Sequence, residues 1–160
     1  MTLKHFHETN ISEIKTDGSP VTVADRDAER SMVAEIQRRL PSHGVVGEEF
    51  EETVGVAEYL WLLDPIDGTV SFVHGVPLYG TKVSFVSEGE PVVGVMHFPA
   101  LGETVWGCKG LGSWRNGSRA RVSLTDSISG ATLIITDRDL FAKAGCSAIY
   151  DQLRQRVALN

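Results

Sequence analysis

A chain of 160 residues with 42% hydrophobic and 22% charged residues is long enough for one core and ordinary for a globular domain. Its net charge of −6 argues against nucleic acid as a bulk partner, because phosphate backbones favour basic surfaces. No apolar run approaches the length of a membrane span, and residues 1–14 lack the apolar stretch of a signal peptide.

From the amino end, Lys15-Thr16-Asp17-Gly18-Ser19-Pro20-Val21-Thr22-Val23-Ala24-Asp25 runs into a helix. Ala28, Met32, Val33, Ile36 and Leu40 repeat at helical spacing, and Pro41 ends the pattern. Thr22 and Asp25, three residues apart at the helix start, resemble a capping box, a structural role worth roughly 1 kcal/mol. Next, Val45-Val46-Gly47 is a short apolar run that delivers Glu48 and Glu49 at its end. Glu51 and Glu52 prolong the acidic stretch and read as surface charge; Glu48 and Glu49 read as functional.

Tyr59-Leu60-Trp61-Leu62-Leu63 is an apolar run of strand length, followed by Asp64-Pro65-Ile66-Asp67-Gly68-Thr69. Pro65 fixes its own φ and pushes Asp64 towards extended backbone, while Gly68 frees the chain for a helix start. Two carboxylates and the carbonyl of Ile66 can then face one small volume, a donor set that suits a hard cation such as Mg²⁺. An ordinary Asp-Gly turn uses the same residues. Glu48 on a neighbouring strand end favours the metal reading, since α/β sheets bind ligands beyond the carboxyl ends of their strands.

Downstream, Tyr79 to Val86 and Pro91 to Phe98 flank Ser87-Glu88-Gly89-Glu90 and read as a hairpin. Glu103 to Gly107 and Arg119 to Ser123 read as a second pair around the glycine-rich residues Gly110 to Gly117. Thr132 to Thr136 is predicted as a buried strand and Ile149 to Leu159 as a final helix. Gly107-Cys108-Lys109-Gly110-Leu111-Gly112 matches neither the P-loop nor the dinucleotide pattern and reads as a turn. His43, His74 and His97 lack metal-ligand spacing, and Trp61, Trp106 and Trp114 read as packing residues. Cys108 and Cys146 form no CxxC pair, which fits a reducing cytoplasm. The Asn10 and Asn116 glycosylation patterns carry no weight without secretion.

Gly-Ser-Pro-Val-Thr-x-Ala-Asp, Gly-Glu-Glu and Asp-Pro-Ile-Asp-Gly-Thr occur here in that order, and together they resemble the inositol monophosphatase-like superfamily of Mg²⁺-dependent phosphatases. The resemblance runs from about Lys15 onward. It includes Asn116-Gly117, which fits a hairpin such proteins carry. It implies an α+β fold, the layered α/β sandwich of the inositol monophosphatase and fructose-1,6-bisphosphatase type. Ser71-Phe72-Val73-His74-Gly75-Val76-Pro77-Leu78-Tyr79-Gly80-Thr81 is similar to the bacterial histidinol-phosphatase branch. Val70 departs from both branches, where Lys or Thr is expected.

By that resemblance, Glu48, Asp64 and the Ile66 carbonyl hold a first Mg²⁺, and Asp64 and Asp67 a second, with Asp64 bridging. Gly68 and Thr69 offer backbone amides to the phosphate beside Asp67. Asp25 and Thr69 orient and deprotonate the attacking water, with Glu49 in support. Paired cations of this kind activate water and stabilise both attacking and leaving oxygens.

Related phosphatases add a second-metal Asp from a downstream Trp-Asp or Gly-Asp pair, and no such pair follows Asp67 here. The expectation is therefore a metal- and phosphate-binding domain over residues 1–130, the start of a second domain over 131–160, and most of that second domain missing. The expected partner is a small phosphorylated metabolite, with no nucleic acid and no membrane, and a homodimer is a candidate assembly because family members are commonly dimers. Three functions compete. The first is hydrolysis of L-histidinol phosphate in histidine biosynthesis. The second is an inositol monophosphatase or 3'(2'),5'-bisphosphate nucleotidase activity, and the third a truncated, non-catalytic binding fragment.

Overall fold

The computed structural model describes residues 2–8, 11–16, 18–50, 58–135 and 137–159. Glu51 and Glu52, read above as surface charge, lie outside them, as do Asp17 and the Thr136 end of the predicted strand. The chain divides into two compact units, Met1–Ala120 and Arg121–Asn160.

In the first unit, β1 (Ile11–Ile14) and β2 (Pro20–Thr22) form an antiparallel pair that feeds helix α1 (Val23–Arg39). The predicted capping box is present. Asp25 N–H bonds to Thr22 Oγ1, and the Asp25 carboxylate accepts from the Thr22 amide at 2.8 Å. The helix ends before Pro41, as the spacing predicts.

A seven-stranded sheet follows, in the order β3 (Gly44–Gly47), β4 (Tyr59–Asp67), β5 (Gly80–Ser87), β6 (Glu90–Phe98), β7 (Glu103–Cys108), β8 (Gly112–Arg115), β9 (Ser118–Ala120). β3 runs parallel to β4, and every later pairing is antiparallel. The β5–β6 hairpin closes as expected. Its turn is tighter than the sequence implies, since Ser87 pairs with Glu90 and leaves Glu88-Gly89 as a two-residue turn. Both turn residues have positive φ (51° and 76°), the twist a primed hairpin turn requires.

The second predicted pair is corrected. Glu103–Cys108 pairs with Gly112–Arg115, inside the glycine-rich stretch, and Arg115 pairs on through the Asn116-Gly117 turn to Ser118. Arg119 therefore belongs to a third strand. Trp106 and Trp114 lie opposite one another on β7 and β8 and stack at 4.2 Å, so aromatic packing holds a strand that the glycines conceal.

A short helix, α2 (Thr69–Val73), leaves the end of β4. It is pinned by Phe72, which packs edge-on to Tyr79 at 4.9 Å in a cluster with Ala24 and Ile66. Phe6 lies against both rings.

The second unit holds α3 (Asp139–Lys143) and α4 (Ser147–Arg156). The predicted final helix thus begins earlier and stops three residues sooner. Thr132 to Thr136 is also corrected. Thr132 makes one isolated parallel bridge to Leu159, no ladder extends it among the described residues, and Ile134 is exposed. An apolar β-branched run becomes a strand when another strand is there to receive its hydrogen bonds.

Phe72 is 1% exposed, so Phe72→Ala should cost about 3–5 kcal/mol of stability, measured by urea denaturation. A loss under about 1 kcal/mol would mean that this cluster does not anchor α2.

Candidate active site

The parallel register places Gly47 beside Leu63, so Glu48 leaves β3 next to Asp64 on β4. What Asp64 and Asp67 do next depends on a bulge. In a regular strand, residues three apart point to opposite faces. Opposite β5, Asp64 pairs with Lys82 and Asp67 pairs with Gly80, so three steps on β4 match two on β5. The extra residue turns Asp67 back to the side of Asp64. Lys82 Nζ accordingly reaches both carboxylates, at 2.7 Å from Asp67 Oδ2 and 3.5 Å from Asp64 Oδ2. Thr81 Oγ1 donates to the Pro65 carbonyl at 2.8 Å and fastens the bulge.

Glu48 and Glu49 are aimed by a residue on α1. The Glu29 side chain is fully buried and accepts the backbone N–H groups of Glu49 at 2.9 Å and Phe50 at 3.0 Å. Gly47 leaves the space this needs, since a Cβ there would stand 1.8 Å from Glu29 Oε1. Lys15 Nζ then donates to Glu48 and to Glu49, each at 2.8 Å. Burial alone would lower the Lys15 pKa, but its bonds and charges with these two carboxylates raise it.

The electrostatics describe an anionic site that is only partly compensated. Burial pushes the Asp64 carboxyl up to about 7, and the Glu48 carboxylate beside it adds to the rise. Asp64 Oδ1 is buried with no N–H or hydroxyl donor to bond it, and the Glu48 carboxyl lies close enough to Asp64 to share a proton with it. Burial also raises Glu49, whose side chain is 4% exposed, and Asp25, which is 1% exposed. Asp25 keeps its capping bonds, both donors from Thr22 reaching Oδ2.

Thr69 lies at the start of α2, and its hydroxyl donates to the Ile66 carbonyl at 3.0 Å. That carbonyl has a second lone pair for another partner. Gly68 holds a left-handed conformation, φ 88°, with the Leu78 carbonyl 3.0 Å from where a Cβ would stand.

Among the described residues, no three His, Cys, Asp or Glu side chains converge closely enough to hold a metal ion as they stand. Lys15 and Lys82 sit between them instead. The donor chemistry nonetheless fits a hard cation: carboxylates and a carbonyl, with one buried carboxylate oxygen unpartnered. Beyond Glu48, Asp64 and Lys82, an apolar hollow of about 530 Å³ runs over the sheet to Met96 and Trp106.

Glu29, Lys82 and the part played by Lys15 escape a reading of the sequence. Glu29 had one signal, a carboxylate directly after Ala28 on the inward stripe of the helix. Lys82 had another, a charge inside an apolar strand.

Residues 2–154 match the sequence model of the inositol monophosphatase family. A histidinol-phosphatase from Chlorobaculum parvum is 39% identical over 96% of this chain and 60% of its own length. A fructose-1,6-bisphosphatase/inositol-1-monophosphatase from Thermotoga maritima is 43% identical over 68% of this chain and 41% of its own. A solved inositol monophosphatase from Zymomonas mobilis superposes with a TM-score of 0.80 at 34% identity, covering 99% of this chain and 62% of that one. The chain thus spans roughly half of the length of the relatives it matches.

Glu29→Gln would turn an NH₂ group towards one of the two amides. It should cost about 1–3 kcal/mol in denaturant unfolding. Gly47→Ala should cost more, because its methyl group collides with the same carboxylate. Wild-type stability in both variants would show that Glu29 does not set the β3 exit.

Proposed function

The chain belongs to the inositol monophosphatase family, and on that premise we propose that it carries the metal- and phosphate-binding part of a phosphomonoesterase acting on a small phosphorylated metabolite. The observation that carries this is the bulge in β4. It sets Asp64 and Asp67 on one side, next to Glu48, with a buried Asp64 oxygen unpartnered.

In this reading Glu48, Asp64 and the Ile66 carbonyl would hold one Mg²⁺, and Asp64 and Asp67 would hold a second. Such ions would supply Lewis acidity, the chemistry that activates water and offsets charge on a leaving oxygen. The Gly68 and Thr69 amides bind the phosphate at the turn out of β4. The Thr69 hydroxyl, tied to Ile66, orients the water. Asp25 accepts its proton at Oδ1, since Thr22 occupies Oδ2. Burial raises the Asp25 pKa, which makes it a better base than a solvated carboxylate. Glu49, held by Lys15, supports the charge balance around Glu48.

L-histidinol phosphate is the preferred substrate in this proposal. The similarity to the Chlorobaculum histidinol-phosphatase supports it, with the Ser71 to Thr81 segment. The Thermotoga relative, named for fructose-1,6-bisphosphatase and inositol-1-monophosphatase, keeps an inositol ester as the second reading.

The test measures kcat/KM for both esters with saturating Mg²⁺. It uses this chain and the chain joined to the part of the Chlorobaculum enzyme that it does not span. The joined protein should prefer L-histidinol phosphate, and the chain alone should turn over far more slowly. A clear preference for inositol 1-phosphate overturns the substrate assignment, and equal turnover by both proteins shows that no further acidic ligand is needed.

Asp64→Asn and Asp67→Asn in the joined protein should each lower kcat/KM at least about hundredfold with the melting temperature nearly kept. Losing even an outer partner of a metal ligand commonly costs 10–100-fold. Near-normal turnover in either variant would falsify the metal assignment.

A further inference from the structure

We propose that the Lys82 ammonium is the resident cation of the Asp64–Asp67 pair, and that it has to leave before a divalent ion can bind those carboxylates. This rests on the phosphatase reading above for the identity of the competing ion. The sheet itself produces the arrangement. Lys82 is the direct cross-strand partner of Asp64, so both side chains stand on one face. The bulge brings Asp67 round to the same ammonium.

Both contacts use Oδ2, while Asp64 Oδ1 has no partner. The lysine therefore compensates the pair incompletely, and an ion bridging the same two side chains would compete with it for their charge. Its side chain is 39% exposed, which leaves it a path into solvent. Lys15 does not duplicate this role, because its bonds go to Glu48 and Glu49. Lys82 acts here as a positioning residue. It keeps two like charges together and sets how tightly an ion must bind to displace it. Two ligands that exclude one another weaken each other's apparent affinity by the same factor.

The experiment compares the wild-type chain with Lys82→Met, which keeps the stem and removes the charge, and Lys82→Arg, which keeps the charge. Mn²⁺ is the probe, followed by electron paramagnetic resonance and calorimetry at one fixed pH. Thermal melts are run in EDTA and in Mn²⁺.

Removing a unit charge from beside the ion should tighten Mn²⁺ binding in Lys82→Met by about tenfold or more. Lys82→Arg should stay near wild type. Lys82→Met should melt lower than wild type in EDTA and gain more on adding Mn²⁺, because a ligand stabilises in proportion to its affinity for the folded state.

A lower melt in EDTA with no gain in Mn²⁺ affinity would show a merely structural lysine and overturn the proposal. Equal affinities in wild type and Lys82→Met overturn it while leaving the metal reading standing. If neither protein binds Mn²⁺, the proposal falls together with that reading.

Discussion

One extra residue in β4 sets the site. Without the bulge between Asp64 and Asp67, a period of two would send these carboxylates to opposite faces of the sheet. The residues that make the bulge also maintain it. Pro65 needs no ladder partner for its missing N–H, and its carbonyl is taken by Thr81 from the neighbouring strand. Just beyond, Gly68 bends the backbone through a left-handed conformation, and α2 is held by Phe72 in the core. Asp64, Asp67, the amides of Gly68 and Thr69 and the Phe72 anchor thus lie on one continuous segment, which the cluster with Ala24 and Tyr79 fixes to the rest of the fold.

The other half of the site is built by burying charge. Glu29 is a carboxylate with no exposure, stabilised by two backbone amides at the end of β3. That anchoring costs the chain a side chain at Gly47 and in return fixes where Glu48 and Glu49 emerge. Asp25 follows a similar logic on the same helix. Its capping bonds with Thr22 hold a buried acid in place, so the residue proposed above as a base is also the one that caps the helix. A site formed this way is rigid where backbone is involved and adaptable where long lysine side chains complete it.

Much of this was legible because its signals are local. The capping box, the helix ended by Pro41, the Asp-Pro-Ile-Asp-Gly-Thr turn and the β5–β6 hairpin each follow from neighbours in sequence. That β3 and β4 are neighbours followed from acidic residues at two apolar strand ends; their parallel register came from the structure. What escaped reading depended on register or on distant partners. Lys82 gains its meaning from standing opposite Asp64, and Asp67 joins it only because the bulge shifts the register by one residue beyond Asp64. The strand Gly112–Arg115 was hidden by glycines, since its support comes from Trp106 across the ladder. Thr132 to Thr136 failed for the converse reason: its composition suits a strand, but among the described residues its single bridge is to Leu159.

These observations bear on how such a site tolerates its own charge. Glu48, Asp64 and Asp67 repel one another, and Asp64 is pushed up to about 7 chiefly by burial, with the charge of Glu48 adding to the rise. A protein can relieve it by protonation, by internal cations or by bound ions. Here two lysines supply part of the relief, at half-exposed positions where an ion pair is worth up to about 1 kcal/mol. Compensation that weak holds the carboxylates together without satisfying them. In the proposed reading a doubly charged ion seated among the same oxygens would supply the rest. The sheet therefore gathers more carboxylates than its two lysines offset, and it is this excess of negative charge that the proposed cation would meet.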